Sequence, residues 1–318
     1  MSRGATEPPS ALWCCSTCGA IYYKDFPRCP VDGAEVVITH RDPLLGAVVG
    51  NYTIEELLGE GGMGRVYLAH HANLPNKRYA FKVLLGDHAA SPTMRTRFAR
   101  EAAVQAQLRH PNVAALHATG TTALDEPYLV VELLRGRTLR HVIKAEGRVA
   151  PRRAASYAWQ ALAGLAAVHD LGVLHRDLKP ANLMLEPSPG PVERVVLIDF
   201  GFATLEGAPR LTEHGLVVGS LTYIAPERLR GEPPDPRSDL YAIGVILYEL
   251  LAGAPPFVAD TDVGLIELQL DEPPPPLDPA LPAPLTALVV QALAKAPAAR
   301  LPDARAMARA IEAAAPFL

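Results

Sequence analysis

His175-Arg176-Asp177-Leu178-Lys179-Pro180-Ala181-Asn182 gathers a carboxylate, an ammonium and a carboxamide into one short run. A second acidic position, Asp199-Phe200-Gly201, follows the apolar stretch Val195-Val196-Leu197-Ile198. Singly these are ordinary features: an Asp at a strand end followed by Gly is commonly a turn, and a lone Lys is commonly solvated. What stands around them decides their reading. Upstream, Ile54, Leu57 and Leu58 precede a glycine cluster, and Val66, Leu68, Tyr79, Phe81 and Val83 alternate with their neighbours at period two, which predicts strands joined by hairpins. Between Arg95 and Arg109 an amphipathic helix is expected, closed by His110-Pro111-Asn112. Beyond Glu132 helices dominate. One has Pro151 in its first turn and Gly172 as its stop, another runs from about Asp239 to Leu251 and ends at Gly253, and two or three more lie between Leu285 and Ala315. Short strands are expected at Val173-Leu174 and Val195 to Ile198.

Gly59-Glu60-Gly61-Gly62-Met63-Gly64 matches G-x-G-x-x-G, a pattern shared by dinucleotide folds and kinases. A dinucleotide fingerprint needs a helix opening at the third glycine and an acidic residue about 20 positions on. Here Arg65-Val66-Tyr67-Leu68-Ala69 reads as a strand, and Lys82 stands near that distance. The P-loop pattern fails as well, because Arg65-Val66 replaces Lys-Ser/Thr. The loop therefore belongs to a hairpin, where glycines let backbone N–H groups approach phosphate oxygens.

From Tyr52 to Ala314 the chain resembles the protein kinase family, in its bacterial branch in particular. The resemblance rests on the glycine loop, Tyr79-Ala80-Phe81-Lys82, Arg100-Glu101-Ala102, the runs at 175–182 and 199–201, Gly219-Ser220-Leu221-Thr222-Tyr223-Ile224-Ala225-Pro226-Glu227, and Arg237-Ser238-Asp239-Leu240-Tyr241. It implies an α+β bilobal fold, with a small β-rich lobe and a larger helical lobe, and an ATP-dependent serine/threonine kinase using Mg²⁺. Implied for ATP are Leu58, Gly59, Glu60, Gly61, Gly62, Met63, Gly64, Val66, Ala80 and Lys82, the Glu132 carbonyl, the Leu134 amide and Asp199, with Val131 at the back of the pocket. Glu101 is the implied ion-pair partner of Lys82. Asp177 would orient the substrate hydroxyl, Lys179 would offset phosphoryl charge, and Asn182 and Asp199 would hold Mg²⁺. Lys two residues after Asp177 resembles serine/threonine rather than tyrosine kinases. Glu227 would pair with Arg300, in a Lys295-x-Pro297-x-x-Arg300 context, and Asp239 would brace the catalytic loop.

Arg176 beside the catalytic Asp implies a phosphorylated activation loop. Of Thr204, Thr212, Ser220 and Thr222, Thr212 is the expected autophosphorylation site, where phosphate could form charge-assisted bonds to Arg176. All four cysteines lie between Cys14 and Cys29. Cys15-Ser-Thr-Cys18-Gly19 and Cys29-Pro-Val-Asp32-Gly33 repeat one form, and Cys15, Cys18, Cys29 and Asp32 are the expected zinc ligands, with Cys14, adjoining Cys15, or His40, outside the knuckle, as substitutes and free or redox-active thiols as the alternative. The module resembles a zinc ribbon, with Asp32 where such sites ordinarily carry Cys or His, and it is a candidate for protein docking.

The 318 residues carry 49% hydrophobic and 20% charged residues and a formal net charge of −4, a globular composition without the basic excess that nucleic acid or a membrane surface would attract. With 31 prolines and 24 glycines, Pro and Gly stay below the level of low-complexity chains. No apolar run reaches the roughly 18 residues of a spanning helix, and no secretory signal is visible, so a cytoplasmic protein is expected. The expected organisation is a ribbon at 11–40, a linker at 41–51 and a kinase domain at 52–314. Two other classes stay open here: a nucleotide-binding pseudokinase scaffold and a zinc-ribbon interaction protein.

Overall fold

The computed structural model describes residues 12–17, 21–22, 27–39, 42–61, 64–84, 92–190, 192–199, 221–233 and 235–317. Cys18, Gly62, Met63, Phe200, Gly201, Thr204, Thr212 and Ser220, and the side chain of Glu101, lie outside what is described. The chain divides into two compact units, residues 1–96 with 117–133, and residues 97–116 with 134–318.

In the first unit, β1 (Leu12–Cys15), β2 (Ile21–Tyr22) and β3 (Val36–Thr39) form an antiparallel sheet in the order β2-β1-β3. A larger sheet follows: β4 (Val48–Val49), β5 (Tyr52–Gly61), β6 (Gly64–His71), β7 (Leu74–Leu84), β8 (Leu116–Thr121) and β9 (Pro127–Glu132), in the order β4-β5-β6-β7-β9-β8. The period-two pattern now has its cause. Ile54, Tyr67, Ala69, Phe81, Val83, Tyr128 and Val130 share one buried cluster, and the Phe81 and Tyr128 rings stack at 4.5 Å. Such a pair adds about 0.5–1.5 kcal/mol beyond its burial. Val66, Leu68, Ala80 and Lys82 alternate with these residues and so face the opposite side of the sheet, half-buried.

The stretch expected as a linker is, from residue 42, a packed part of this unit. Leu44 and Val49 are buried in the same cluster, Gly46 N–H donates to Ile54 O at 2.9 Å, and Ile54 N–H donates to Ala47 O at 3.0 Å.

Helix α1 (Pro92–Gln105) contributes residues to both units. It starts and ends earlier than the sequence suggested, since residues 106–108 turn and Arg109 donates to the Ala106 and Leu108 carbonyls. The second unit holds a sheet of β10 (Arg137–Thr138), β11 (Leu183–Glu186) and β12 (Arg194–Leu197), with helices α2 (Leu139–Glu146), α3 (Pro151–His169), α4 (Pro226–Leu229), α5 (Pro236–Ala252), α6 (Asp262–Asp271), α7 (Ala283–Ala292) and α8 (Ala304–Ala314).

Every residue of α5 from Asp239 to Leu251 is buried, and α3, α7 and α8 pack around it, as expected of a helix apolar on all sides. Asp235 and Ser238 form its capping box, and Gly253 ends it at φ 85°. Val173-Leu174 forms no strand. The pair is short, and the next two backbone N–H groups, of His175 and Arg176, bond to a side chain instead of a neighbouring strand.

Close approach of β6 and β7 requires glycine at 64, because a Cβ there would stand 2.0 Å from the Val83 carbonyl oxygen. Gly64→Ala is therefore expected to pry the two strands apart at the glycine hairpin and destabilise the unit by about 1–3 kcal/mol. Thermal melting of the variant beside wild type checks this; an unchanged midpoint would mean that the strands separate at no cost.

Candidate active site

Cross-strand register lines up the nucleotide residues expected in the first unit. Gly59 pairs with Val66, Val66 with Lys82, and Lys82 with Leu129, so these four lie in one row across the sheet. In the next row Ala80 pairs with Leu68 on one side and Val131 on the other. Leu58, Gly59, Glu60 and Gly61 end β5, Gly64 and Val66 begin β6, and Glu132 ends β9. Leu134 belongs to the second unit, and Glu101 lies on α1. Leu68 and Leu129 were not singled out from sequence, although the same alternation that places Val66 and Lys82 points to them.

In the second unit, the catalytic-loop residues form one hydrogen-bonded cluster. Lys179 Nζ donates to both carboxylate oxygens of Asp177, at 3.1 and 2.8 Å. Asn182 Nδ2 donates to the Asp177 carbonyl at 2.8 Å and to its carboxylate at 2.9 Å. With its nitrogen so committed, Asn182 presents Oδ1 as the atom available to a cation. Ile198 N–H donates to the Asn182 backbone carbonyl at 3.0 Å, which ties the residue before Asp199 to the backbone of the catalytic-loop cluster.

Arg176 and Asp199 take left-handed backbones, φ 66° and 52°. Such conformations cost non-glycine residues on the order of 1–3 kcal/mol each and persist where surroundings enforce them. The enforcing group at Arg176 is Asp239, whose carboxylate accepts the His175 and Arg176 N–H groups at 2.9 and 3.0 Å and His169 Nε2 at 2.9 Å. Burial alone would raise the Asp239 carboxyl, but these donors and the neighbouring imidazoles hold it below its ordinary value.

A carboxylate clasped by an ammonium and a carboxamide, with a second carboxylate one strand away, is a layout for placing a hydroxyl and a cation side by side. The protein kinase domain model matches residues 52–310. This chain belongs to the protein kinase domain family. It is 36% identical over 276 residues to the serine/threonine-protein kinase PknA of Mycobacterium tuberculosis, covering 85% of this chain and 63% of PknA. It is 39% identical over 264 residues to PknB of the same organism, covering 80% of this chain and 41% of PknB. The chain thus spans less than two thirds of the length of either relative. Among solved structures, the M. tuberculosis PknI kinase domain superposes with a TM-score of 0.67 at 30% identity, covering 85% of this chain and 98% of that one.

Within the kinase domain, the segment that closes the activation loop is anchored at three points. Glu227 and Arg300 form a bidentate, fully buried pair, at 2.7 Å for both bonds, and Ser238 Oγ donates to Glu227 at 2.6 Å. Tyr223 OH donates to Glu249 Oε2 at 2.7 Å and accepts from Arg140, which also reaches Glu249 Oε1 at 2.8 Å. Gln269 Nε2 donates to the Leu221 carbonyl at 2.7 Å. Lys295, quoted from sequence only as context, caps the end of α6 through the Leu268 and Gln269 carbonyls and lies over the Phe257 ring. Sequence reasoning missed Glu249, although a lone Glu in the apolar run of α5 demands a partner.

The cysteine module brings together three of its four expected ligands. Cys15, Cys29 and Asp32 offer ligand atoms all within 4.8 Å of one another. Both knuckles repeat one bond, Thr17 N–H to Cys15 Sγ and Val31 N–H to Cys29 Sγ, each at 3.4 Å. Gly33 turns the second at φ 72°.

Acid should weaken this fold in stages. Burial lowers His175 below its ordinary 6.5. Glu227, which burial alone would raise, is held below 4.5 by Arg300 and Ser238, and Asp239 lies below 3.8. Each group binds its proton more readily in the unfolded chain, so its contribution is full above the unfolded value and lost as pH falls through the folded one. Urea midpoints are expected to decline steadily from about pH 7 to pH 4. Glu227→Gln, which strands Arg300 in the interior, is expected to cost about 3–5 kcal/mol at neutral pH.

Proposed function

We propose that the chain is an ATP-dependent serine/threonine protein kinase that transfers the ATP γ-phosphoryl group to Ser/Thr hydroxyls of proteins. The observation that carries this reading is the Lys179–Asp177–Asn182 clasp. Asp177 accepts and orients the proton of the incoming hydroxyl, and Lys179 stands where it offsets charge on the transferring group. Transfer of a dianion needs charge offset more than covalent help. The donor set fits Mg²⁺, since Asn182 Oδ1 and the Asp199 carboxylate are the hard oxygen ligands that ion prefers. Bound there, the ion would neutralise phosphate charge. Lys82, in its cross-strand row with Val66 and Leu129, and Glu101 complete the nucleotide machinery in this reading. A lysine two residues after Asp177, and relatives named serine/threonine-protein kinases, support the acceptor class.

Autophosphorylation at Thr212 is part of the proposal. Arg176 Nε is buried without a hydrogen-bond partner among the described residues. Burial and then the charge of Arg176 lower the pKa of Arg228, so two cations share a region that a phosphate would relieve. A cytoplasmic location is proposed with it; among the described residues no helix is long and apolar enough to cross a membrane.

Asp177→Asn should reduce phosphate incorporation from labelled ATP at least about a hundredfold while leaving the melting temperature near wild type. Equal incorporation by the variant would point to a contaminating kinase and return the pseudokinase scaffold to favour.

A second reading concerns the N-terminal module, a zinc ribbon held by Cys15, Cys18, Cys29 and Asp32 that offers a surface for protein docking. The matched N–H to Sγ bonds of the two knuckles favour it, because with the Asp32 carboxylate 3.3 Å from Cys15 Sγ they aim three ligand atoms at one point. Purified protein is expected to carry one zinc per chain, and Asp32→Ala to lower that content or its resistance to chelator. Zinc far below stoichiometry, with all four thiols titrating readily, would defeat the assignment.

A further inference from the structure

Arg65 follows the last glycine of the hairpin directly, and its guanidinium is buried, with a side-chain exposure of 5%. A cation in such a place must be compensated. Glu60, its cross-strand partner at the end of β5, lies 3.3 Å away. Asp42 Oδ2 lies 3.6 Å away and comes from outside the hairpin, from the segment that follows β3 of the cysteine module. Asp42 is itself fixed. Tyr67 OH, from the fully buried ring of β6, donates to Oδ2 at 2.8 Å, and Leu44 N–H donates to Oδ1 at 2.9 Å.

We propose that Asp42 is a positioning residue for the glycine hairpin. It holds Arg65, and through Arg65 the Glu60 end of β5, so that the segment leaving the cysteine module helps set the loop that receives the nucleotide phosphates. Beyond their ladder, the two strands are linked at this end by one charge shared between two carboxylates. The clamp is asymmetric. Glu60 moves with the hairpin, whereas Asp42 is tied to Leu44, which is buried in the sheet core. Removing the Asp42 charge leaves Arg65 with Glu60 as its carboxylate in this clamp, and the hairpin tip loses its fixed reference.

The kinetic side of this inference rests on the kinase reading; its structural side does not. Asp42→Asn removes the charge and keeps the side-chain shape, with one acceptor oxygen left for Leu44 N–H or Tyr67 OH and an amide donor in place of the other. The full chain carrying it is expected to show amide hydrogen exchange in residues 59–66 faster by about tenfold. Its KM for ATP is expected to rise about fivefold, with kcat and the KM for a peptide acceptor unchanged. Glu56→Gln, an exposed carboxylate on the same strand, controls for net charge and should alter neither reading. Unchanged exchange at 59–66 overturns the proposal, as does a loss confined to kcat or peptide KM. If wild type transfers no phosphate, the kinase reading fails, and the exchange comparison alone decides whether Asp42 holds the hairpin. Should Asp42→Asn fail to fold, Tyr67→Phe, which deletes the hydroxyl bonded to Asp42 and keeps the ring, is read by the same two measurements.

Discussion

Two consecutive backbone N–H groups, of His175 and Arg176, converge on the carboxylate of Asp239, and the catalytic loop takes its shape from that convergence. Burying a carboxylate costs several kcal/mol unless its lone pairs are satisfied. Here the satisfying donors are the loop's own backbone and His169, so the loop and the charge stabilise one another. The left-handed turn at Arg176 is tolerated for that reason, and it directs the next residue, Asp177, to Lys179 and Asn182. Asp239 sits in the first turn of α5, buried along nearly its whole length, so the reference point of the loop is fixed within the packed core of the second unit.

The same helix serves the segment from Leu221 to Glu227. Glu249 near its C-terminal end receives Tyr223, and Ser238 near its start bonds Glu227. One buried helix thus supports both the loop that carries Asp177 and the segment from Leu221 to Glu227. Around them, Gln269 and Arg300 come from later elements, so the C-terminal third of the chain also holds this segment in place.

Features that depend on close spacing were legible in the sequence. Asp177, Lys179 and Asn182 stand close enough to be grouped, although their roles came with the family resemblance. Alternation announced the hairpin strands β5, β6 and β7, while the buried face of β6 is that of Tyr67 and Ala69 and not of Val66 and Leu68. Glu227–Arg300 and the role of Asp239 were legible only through family resemblance. What stayed hidden were contacts between distant residues with no local signature. Arg140 and Glu249 are 109 positions apart, and no periodicity announces their meeting. Val173-Leu174 misled because apolar character signals burial, not pairing, and the backbone donors that follow it belong to Asp239. Residues 42–50 read as a tether because the short apolar pairs Leu44-Leu45 and Val48-Val49 carry no period of their own, and the partners of Leu44 and Val49, among them Ile54, Tyr67 and Tyr128, lie further along the chain.

The row Gly59–Val66–Lys82–Leu129 bears on how errors in folding are handled. Side chains alternate across a strand, so a slip of one residue in the β6–β7 pairing would exchange the two faces, driving the Lys82 ammonium into the aromatic cluster and turning Phe81 outward. An uncompensated ammonium there is far more costly than the hydrogen bonds such a slip preserves. Lys82 therefore also guards assembly: a sheet paired one residue out of step buries an ammonium among aromatic rings, and the register of β6 and β7 keeps it on the half-buried face.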